Sequence, residues 1–547
     1  MAAASTSSTA APARAQLLPA SSPADLECSL ETASSFLRQN RPVAFPTETV
    51  YGLGASALSP EAVKTIFDAK GRPSDNPLIV HVGSREMLEG LLPHRRAGGE
   101  KEKGAAEIPR MYEALMDRFW PGALSLVFPL PHLADPKGKG KAVDPSSYDP
   151  PRLPVAPAVT AGHPSLCIRM PSHPLALRLI QVSDLPLAAP SANLSSRPSP
   201  TTAAHVMHDL GEGRGLAAVL DGGECEVGVE STVVDWVPPA EGEAGQEGAL
   251  RILRAGGVSA EDIEACLRDA GFGTFSSSAA GEGEKREGAS GEKTTVQVYA
   301  RDFRNASLEA APTTPGMKYK HYAPSRAKVV LVKPVLRGAS GSGDAGVDEL
   351  GPTPSLQDLI QLTALTQARV RVDSEGRTVE ERFRVGLMLT DETLEAVKAA
   401  PFSSSSSSST PSVDSPAPTT PASAPSPTRI RLPPPPPSLF SSLSIGGDDN
   451  NLPDLASISL YSYPLGSQAR PIEAAQRLFG GLRTFDELPL AEGEDNAAGL
   501  EEEEEQTGVD LILVECVKED GVGLAVMERA RKAAGGIERG GEMEILV

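Results

Sequence analysis

Two cations beside a sharp bend are the residues of this sequence that most clearly could take part in binding or catalysis. Lys70 and Arg72 flank Gly71 and precede Pro73, where a predicted helix ends. Cations in this position can bind an anionic group, or they can simply complement the dipole of the helix. The residue types alone leave both interpretations open.

A second group of polar residues follows the buried run LPLAAP. It comprises Ser191, Asn193, Ser195, Arg197 and Ser199. Short hydroxyl and amide donors with an arginine, presented at a strand end, suit the recognition of phosphate or carboxylate. The alternative is a Ser/Pro-rich turn without a ligand.

Further polar residues stand at the ends of other apolar runs. Thr49 follows a hydrophobic strand, Arg169 ends the run LCIR, Ser231 opens STVVD and Arg254 ends RILR. A charge at the end of a buried strand must find a partner. Each of these signals is individually weak.

The elements that must position these residues alternate between helix and strand, which is typical of an α/β fold. The glycines of GLG at 52–54 would let the backbone of a strand-to-loop turn come close to a ligand, and the alternative is a plain tight turn. In the first half we expect helices near 26–39, 60–69, 110–119 and 173–183, and strands at 42–46, 77–82, 124–128, 165–169, 217–220 and 231–236. In the second half we expect strands at 328–333, 384–390, 457–463 and 509–516, and helices at 471–483 and 522–533.

Composition divides the chain into segments. The 51 Gly and 50 Pro among 547 residues indicate unpacked connections between more than one domain. We expect a disordered tail over 1–24, a catalytic domain over 25–275 with an insertion at 131–160, a linker over 276–327 and a C-terminal domain over 328–547. Within the last we expect disordered insertions at 402–450 and 491–508.

Charge and cysteine content exclude several classes of protein. The net charge of −21 argues against a protein that coats nucleic acid by bulk attraction. No GxxxxGK[ST] phosphate loop occurs, and no apolar run is long enough for a membrane span. Five scattered cysteines indicate neither a zinc site nor a disulfide framework. These features predict a cytoplasmic protein, and the acid-free residues 1–24 leave an additional mitochondrial form as the alternative.

Taken together, the strings resemble the threonylcarbamoyl-AMP synthase family, whose catalytic unit is the YrdC-like domain. The resemblance rests on PTETVYGLG, KGRPSDNPLIVHV, FWPGALSLVF, IRMPSHP, APSANLSSRPSPT, ESTVVD and PGMKYKHYAP, which occur in the family's order. The strands and helices of 328–547 are similar to the extra C-terminal domain of the longer family members. Arg254-Ala255-Gly256 departs from the family's Arg-Pro-Gly, and the insertion at 131–160 is longer than usual.

The resemblance implies a fold and a reaction. The fold is a YrdC-like twisted open α/β sheet with a concave basic cavity, plus a smaller Rossmann-like α/β C-terminal domain. The reaction joins L-threonine, bicarbonate or CO₂, and ATP into threonylcarbamoyl adenylate and pyrophosphate, with Mg²⁺ bound to the ATP phosphates. A partner threonylcarbamoyl-transferase complex then modifies tRNA, with which this protein itself would make at most weak contact.

The resemblance also assigns roles to residues. The implied catalytic residues are Lys70, Arg72, Ser191 and Asn193. The implied ATP contacts are Arg72, Asn76, Ser165, Ser191, Ser199, Arg254 and Tyr322. The implied L-threonine contacts are Thr49, His81, Arg169, Ala189 and Ser231, and no protein metal site is implied. The string PGMKYKHYAP would form a lid that excludes water from the labile intermediates.

Two rival functions remain at this point. One is a different carbamoyl-transfer enzyme, since the same domain occurs in hydrogenase-maturation carbamoyltransferases, but the zinc-finger-like cysteine pairs of those proteins are missing here. The other is a non-catalytic module that binds structured RNA. Salt-sensitive RNA binding without ATP consumption would indicate the module.

Overall fold

The structure is a computed structural model in which part of the chain is described. The described residues are 14–92, 94–95, 108–130, 148–149, 154–238, 248–276, 293–299, 301–302, 304, 322–335, 356, 360, 370–372, 378–380, 383–399, 427–430, 459–489, 507–536 and 542–546. They divide into two compact units. The first holds those up to residue 321 and 519–528, and the second holds those of 322–518 and 529–547.

The helices follow the apolar periodicity of the sequence. In chain order they are α1 Pro23–Arg38, α2 Pro60–Lys70, α3 Arg85–Leu91, α4 Arg110–Phe119, α5 Pro157–Thr160, α6 Pro174–Ser183, α7 Ala203–Leu210, α8 Ala260–Asp269, α9 Asp391–Ala399, α10 Pro471–Asp486 and α11 Gly523–Ala533. Several begin with proline after a capping residue. At α1, for example, the Ser22 hydroxyl accepts a hydrogen bond from the Asp25 amide.

The first unit is built on a large mixed sheet of twelve strands. These are β1 Gln16–Pro19, β2 Val43–Phe45, β3 Gly52–Ser56, β4 Val80–His81, β6 Leu124–Pro129, β8 Ser165–Arg169, β9 Leu187–Ala188, β10 Ala218–Asp221, β11 Thr232–Val237, β12 Gly248–Arg254, β13 Gly273–Ser276 and β14 Lys293–Val298. Their order is β1-β10-β2-β3-β9-β4-β8-β6-β11-β12-β14-β13. Strands β5 His94–Arg95 and β7 Tyr148–Asp149 form a separate pair.

One core of this unit lies between helices and the middle of the sheet. Leu30 and Leu37 of α1 and Leu179 of α6 pack with Val43 and Phe45 of β2, and all five side chains are fully buried. This apolar contact fixes strands β2 and β3, from which the polar segment between them projects.

The second unit contains a smaller sheet of six strands. They are β15 Lys328–Val335, β18 Arg384–Leu389, β19 Thr428–Ile430, β20 Ser459–Pro464, β21 Leu511–Glu515 and β22 Met543–Leu546. The order is β19-β20-β18-β21-β15-β22, and all pairs are parallel except that of β19 with β20. Strands β16 Val370–Val372 and β17 Thr378–Glu380 pair separately. The predicted α/β class is therefore confirmed for both units.

Four sequence predictions about organisation were wrong in part. Residues 16–19 form strand β1 on β10, although 1–24 was predicted to be a disordered tail. The predicted linker contributes β14, which pairs with β12 and β13. Strand β19 lies within the predicted disordered segment 402–450. Strands β1 and β19 lie at sheet edges, and β14 lies between β12 and β13. Each is a short strand, and a short pairing of this kind leaves little periodicity in the sequence.

The fourth error concerns GLG at 52–54, which forms strand β3 instead of a turn. A Cβ at Gly54 would lie 2.5 Å from the Phe45 ring. The glycine therefore makes room for a core side chain. Most of the insertion at 131–160, most of 491–508 and the string PGMKYKHYAP up to His321 lie outside the described residues.

Two findings bear on the composition arguments. None of the described helices is both long and apolar enough to cross a membrane. All five cysteines carry free thiols.

Candidate functional site

The register of the first sheet aligns several polar residues in one row. His81 lies opposite Arg169, Arg169 opposite Ser125, Ser125 opposite Val233, and Val233 opposite Arg254. Strands β4, β8 and β12 end at this row, whereas β6 and β11 begin beside it. Because aligned residues on neighbouring strands point to the same face, two arginines and a histidine share one side of the sheet edge.

Arg169 lies in the row with its guanidinium held on three sides. Nη2 pairs with the Glu48 carboxylate, Nη1 donates to Thr49 Oγ1 at 2.9 Å, and Nε donates to the Gly122 carbonyl at 3.1 Å. Arg169 and Glu48 are both buried. The predicted partner of the threonine carboxylate is thus already charge-balanced by a glutamate, and the backbone amide of Ser172 donates to that glutamate's second oxygen at 3.1 Å.

His81 stays neutral beside this arginine. Burial, together with the positive charge of Arg169, lowers the pKa of His81 to about 3. Its ring meets Phe45 edge-on at 6.2 Å, and within the described residues Nδ1 has no hydrogen-bond partner. At neutral pH the imidazole can donate from one ring nitrogen and accept at the other.

A second group forms around Lys70, at the last position of α2. Gly71 adopts φ +59° and ends the helix, which turns the chain away directly after Lys70. The buried ammonium donates to the carbonyls of Ser191 and Asn193, each at 2.5 Å, and lies 3.4 Å from Asn193 Oδ1. The Ser191 hydroxyl donates to the same Oδ1 at 2.6 Å.

Arg72 is only partly buried and stands two residues beyond Lys70. Its guanidinium donates to the carbonyls of Asn76 at 3.3 Å and of Pro77 at 2.9 Å. Asn76 is buried. The four residues of the implied catalytic set therefore lie close together, although Ser191 and Asn193 are 121 and 123 residues beyond Lys70.

Arg254 and Ser231 form the third group. Arg254 Nη2 donates to the Ser231 carbonyl at 2.9 Å and to its hydroxyl at 3.1 Å. The same hydroxyl lies 2.8 Å from the hydroxyl of Ser125. Gly256 permits this approach, since a Cβ there would lie 2.3 Å from the Ser231 backbone.

The segment 47–51 connects these groups. Thr49 accepts from Arg169, while the Tyr51 amide donates to the Pro200 carbonyl and the Tyr51 carbonyl accepts from the Ala192 amide. Two residues span no more than about 7 Å of chain. The Arg169 group and the loop that carries Ser191 and Asn193 are therefore neighbours.

The remaining predicted residues lie in different places. Ser199 is buried and donates to Glu230 Oε1 at 2.6 Å. Glu230 directly precedes Ser231 in the sequence. The Ala189 amide donates to the Ile79 carbonyl at 3.0 Å. Ser165 begins β8, about 13 Å along the strand from Arg169. Tyr322 belongs to the second unit, where its ring packs on Phe479 with 5.0 Å between centroids. Roles in binding stay predictions for all of them.

Sequence reasoning assigned no role to three buried polar residues of this region. They are Glu48, Glu230 and Ser125, which contact Arg169, Ser199 and Ser231 respectively. Glu48 and Glu230 had a detectable signal, because each acidic residue sits beside a threonine or serine at a strand boundary within a motif. Ser125 had none, since a serine in an apolar strand is common.

The chemistry available here is electrostatic. Cations and hydroxyl donors come together, and burial raises the pKa of the Cys167 thiol to about 12, which leaves no thiolate nucleophile in that strand. Among the described residues, no group of three or more His, Cys, Asp or Glu side chains is arranged to hold a metal ion. Such a site can bind anions and stabilise charge that develops on them.

Comparisons with known proteins place this chain in a family. Residues 35–256 match the family described as Telomere recombination, and residues 258–535 match the C-terminal domain of threonylcarbamoyl-AMP synthase. The threonylcarbamoyl-AMP synthase of Schizosaccharomyces pombe is 40% identical over 346 residues, which are 62% of this chain and 72% of the relative. That of Bacillus subtilis is 32% identical over 507 residues, which are 92% of each chain.

A solved structure is similar as well. The crystal structure of Pyrococcus abyssi Sua5 complexed with L-threonine is 30% identical, with a TM-score of 0.52, and the match covers 95% of this chain and 96% of that one. The predicted resemblance is thereby confirmed over both units.

Proposed function

The chain belongs to the threonylcarbamoyl-AMP synthase family, and on that premise we propose that it joins L-threonine, bicarbonate-derived CO₂ and ATP into threonylcarbamoyl adenylate. It is a nucleotidyltransferase of the family's kind. One observation carries the assignment of this site: Lys70, with Arg72 two residues on, meets the loop of Ser191 and Asn193 although the chain between them is more than a hundred residues long.

The reaction follows from charge. The threonine amine attacks CO₂, forms an N–C bond and loses a proton, which gives a carbamate. A carbamate oxygen then attacks the α-phosphorus, and the bond from that phosphorus to the bridging oxygen breaks as pyrophosphate leaves. Negative charge grows on the leaving group, so the protein's contribution is to position the reactants and supply cations and donors.

We assign the phosphate side to Arg72, Ser191 and Asn193. Arg72 is the more accessible cation of the group, since it is only partly buried whereas Lys70 is buried and donates to two carbonyls. Lys70 therefore contributes its positive charge and fixes the loop. Asn76, Ser165, Ser199, Arg254 and Tyr322 complete the proposed nucleotide contacts.

We assign the amino-acid side to His81 and Arg169 of the row and to the residues near them. The proposed threonine contacts are Thr49, His81, Arg169, Ala189 and Ser231. The L-threonine bound in the Pyrococcus abyssi structure supports a threonine site in this fold. Arg169 keeps an excess of donors even with Glu48 beside it, because a guanidinium has five N–H groups.

Mg²⁺ would enter with ATP. Because the described residues offer no three-residue cage of acidic, histidine or cysteine side chains, the ATP phosphates and water would supply most of its ligands. The ion would neutralise charge on the phosphates. Free cysteines support the cytoplasmic location. We further propose that a transferase complex accepts the adenylate and that this protein itself makes only weak contact with tRNA.

The test is direct. Purified protein is incubated with ATP, Mg²⁺, bicarbonate and labelled L-threonine, and pyrophosphate and labelled adenylate are measured. We expect both products, and neither when threonine or bicarbonate is omitted. Pyrophosphate that forms without threonine would contradict the proposal, and RNA binding that weakens with salt while no ATP is consumed would favour the module.

A further inference from the structure

The loop of Ser191 and Asn193 is held from a second side by a buried carboxylate. Asp209 lies in the last turn of α7, and its side chain has no exposed surface. Oδ2 accepts from the Leu194 amide at 3.2 Å, and Oδ1 lies 2.9 Å from Arg197 Nη1 and 3.3 Å from His208 Nδ1. Two carboxylate oxygens thus bind two different points of one loop.

Asn193 binds the same two residues through their other groups. Its Nδ2 donates to the Leu194 carbonyl at 2.7 Å and to the Arg197 carbonyl at 2.8 Å. Asp209 and Asn193 therefore hold a common pair of residues, one through an amide and a guanidinium and the other through two carbonyls. A shift of Leu194 or Arg197 must change both sets of contacts.

The orientation of Asn193 matters for the proposed chemistry. Because Nδ2 is committed to the loop, Oδ1 must face Ser191 and Lys70, and it accepts the Ser191 hydroxyl at 2.6 Å. An amide that rotated or moved would release that hydroxyl. Misplacement of reacting groups by about 1 Å can lower a rate by about 100-fold.

We propose that Asp209 is a positioning residue for adenylate formation. It holds the loop 191–197 so that Ser191 and Asn193 face the phosphates, and it acts through Leu194 and Arg197 without touching substrate. This inference rests on the proposed function, because it assigns a role to residues of the same site.

The matched control is Asp302, which makes the same kinds of contact elsewhere in the first unit. Asp302 accepts from the Val298 amide at 2.7 Å and pairs with Arg301 at 3.0 Å, and its side chain is 7% exposed. It follows strand β14, beyond β12 in the sheet. Asp302→Asn therefore reports the cost of losing a buried carboxylate whose contacts described above, with Val298 and Arg301, involve no proposed site residue.

The experiment compares Asp209→Asn with Asp302→Asn by melting temperature, kcat, and KM for ATP and L-threonine. We expect similar losses of melting temperature, but a fall in kcat on the order of 10- to 100-fold for Asp209→Asn alone. The KM for L-threonine should change little. Equal kcat values for the two variants would overturn the inference.

A double-mutant cycle with Asn193→Ala provides a readout that a general loss of stability would not move. If Asp209 acts through Asn193, Asp209→Asn should have little further effect on kcat in the Asn193→Ala background. Two effects that simply multiply would contradict this coupling.

A second variant decides the matter if Asp209→Asn does not fold. Arg197→Lys keeps a positive charge near Asp209 but loses the fixed geometry of the guanidinium, and we expect kcat to fall several-fold. A wild-type kcat in that variant would overturn the inference. Wild-type protein that makes no adenylate would instead remove the proposed function on which the inference rests.

Discussion

Buried charged side chains lie at the C-terminal ends of strands in both sheets, but they are cations in the first sheet and an anion in the second. At the edge of the first sheet, Arg169 and Arg254 end strands β8 and β12 and provide positive charge. In the second sheet, Glu515 ends β21 as a buried carboxylate. It accepts from the amide and hydroxyl of Thr390 at 2.7 and 3.0 Å, from Thr393 Oγ1 at 2.9 Å and from Gln468 Nε2 at 2.9 Å.

The position of Glu515 is the one where doubly wound folds bind ligands. Strand β18 leads on to β20 on one side of the sheet, and β21 leads on to β22 on the other, so the neighbours β18 and β21 form the topological switch point. There Glu515 binds the first residues of the turn into α9, as an anionic ligand would. A Rossmann-like sheet alone therefore indicates no nucleotide chemistry, and the strand-end residues decide which unit reacts.

The largest effect should come from removing Arg169. Arg169→Ala leaves the Glu48 carboxylate buried without its partner, which costs about 3–5 kcal/mol of unfolding free energy, and abolishes turnover. Glu48→Gln added to Arg169→Ala should restore most of the stability but none of the activity. Recovered turnover in that double variant, measured as pyrophosphate release, would show that Arg169 is only structural.

Arg72→Ala should separate activity from stability. Its guanidinium is partly exposed and donates to the carbonyls of two buried residues, Asn76 and Pro77, so we expect the unfolding free energy to fall by about 1–2 kcal/mol. Loss of a cation at the leaving group should lower kcat on the order of 100- to 1,000-fold. Arg178→Ala, which removes an exposed ion pair on α6, is the matched control and should keep wild-type kcat. Near-normal turnover of Arg72→Ala would contradict the assignment.

Glu515→Ala tests the other half of the comparison. The change leaves the donors of Thr390, Thr393 and Gln468 unsatisfied in a buried site, so we expect a loss of about 1–3 kcal/mol in unfolding free energy. The kcat of the folded fraction should stay at the wild-type value, since this cluster fills a place in the second unit without taking part in adenylate formation. A large fall in kcat at unchanged KM and full folding would show that the two units do not divide the work in this way.

The smallest effect at neutral pH concerns His81, whose contribution to stability changes only in acid. Folding lowers the pKa of His81 from 6.5 to about 3, so between these values the unfolded chain binds a proton that the folded chain excludes. Stability from this group is therefore fully present above pH 6.5 and is lost as the pH falls toward 3. Compared with wild type, His81→Phe should have a shallower dependence of unfolding free energy on pH, by up to about 1.4 kcal/mol per pH unit. Identical slopes between pH 4 and 6 would contradict the burial of a neutral histidine.

Much of the architecture could be predicted from sequence because the periodic spacing of apolar residues within one helix or strand is visible in a short stretch of chain. Helices α1, α2, α4 and α6 and strands β6 and β8 lie within a few residues of their predicted bounds. Strands β1, β14 and β19 were missed because each depends on a partner strand that is distant in the chain. Strand β3 was missed because its glycines serve the packing of Phe45.

The site could be predicted as a set of residues but not as a network. Motifs indicated Arg169 and Asn193. The carboxylates that bind Arg169 and the loop of Asn193 are Glu48 and Asp209, which lie 121 residues from Arg169 and 16 residues from Asn193 in the chain. The fold brings a buried acid and its partner together, and the pairing cannot be predicted from the two residue types. The proposed site residues are therefore easier to predict from sequence than the residues that hold them in place.

The central claim, that the first unit transfers the adenylyl group of ATP to the carbamate of L-threonine and releases pyrophosphate, is tested most directly by ATP–pyrophosphate exchange. Labelled pyrophosphate is incubated with the full chain, ATP and Mg²⁺, with and without L-threonine and bicarbonate. The account predicts label in ATP only when both are present, and its loss in Arg72→Ala but not in Glu515→Ala. Exchange that needs neither threonine nor bicarbonate, or that persists in Arg72→Ala, would contradict it.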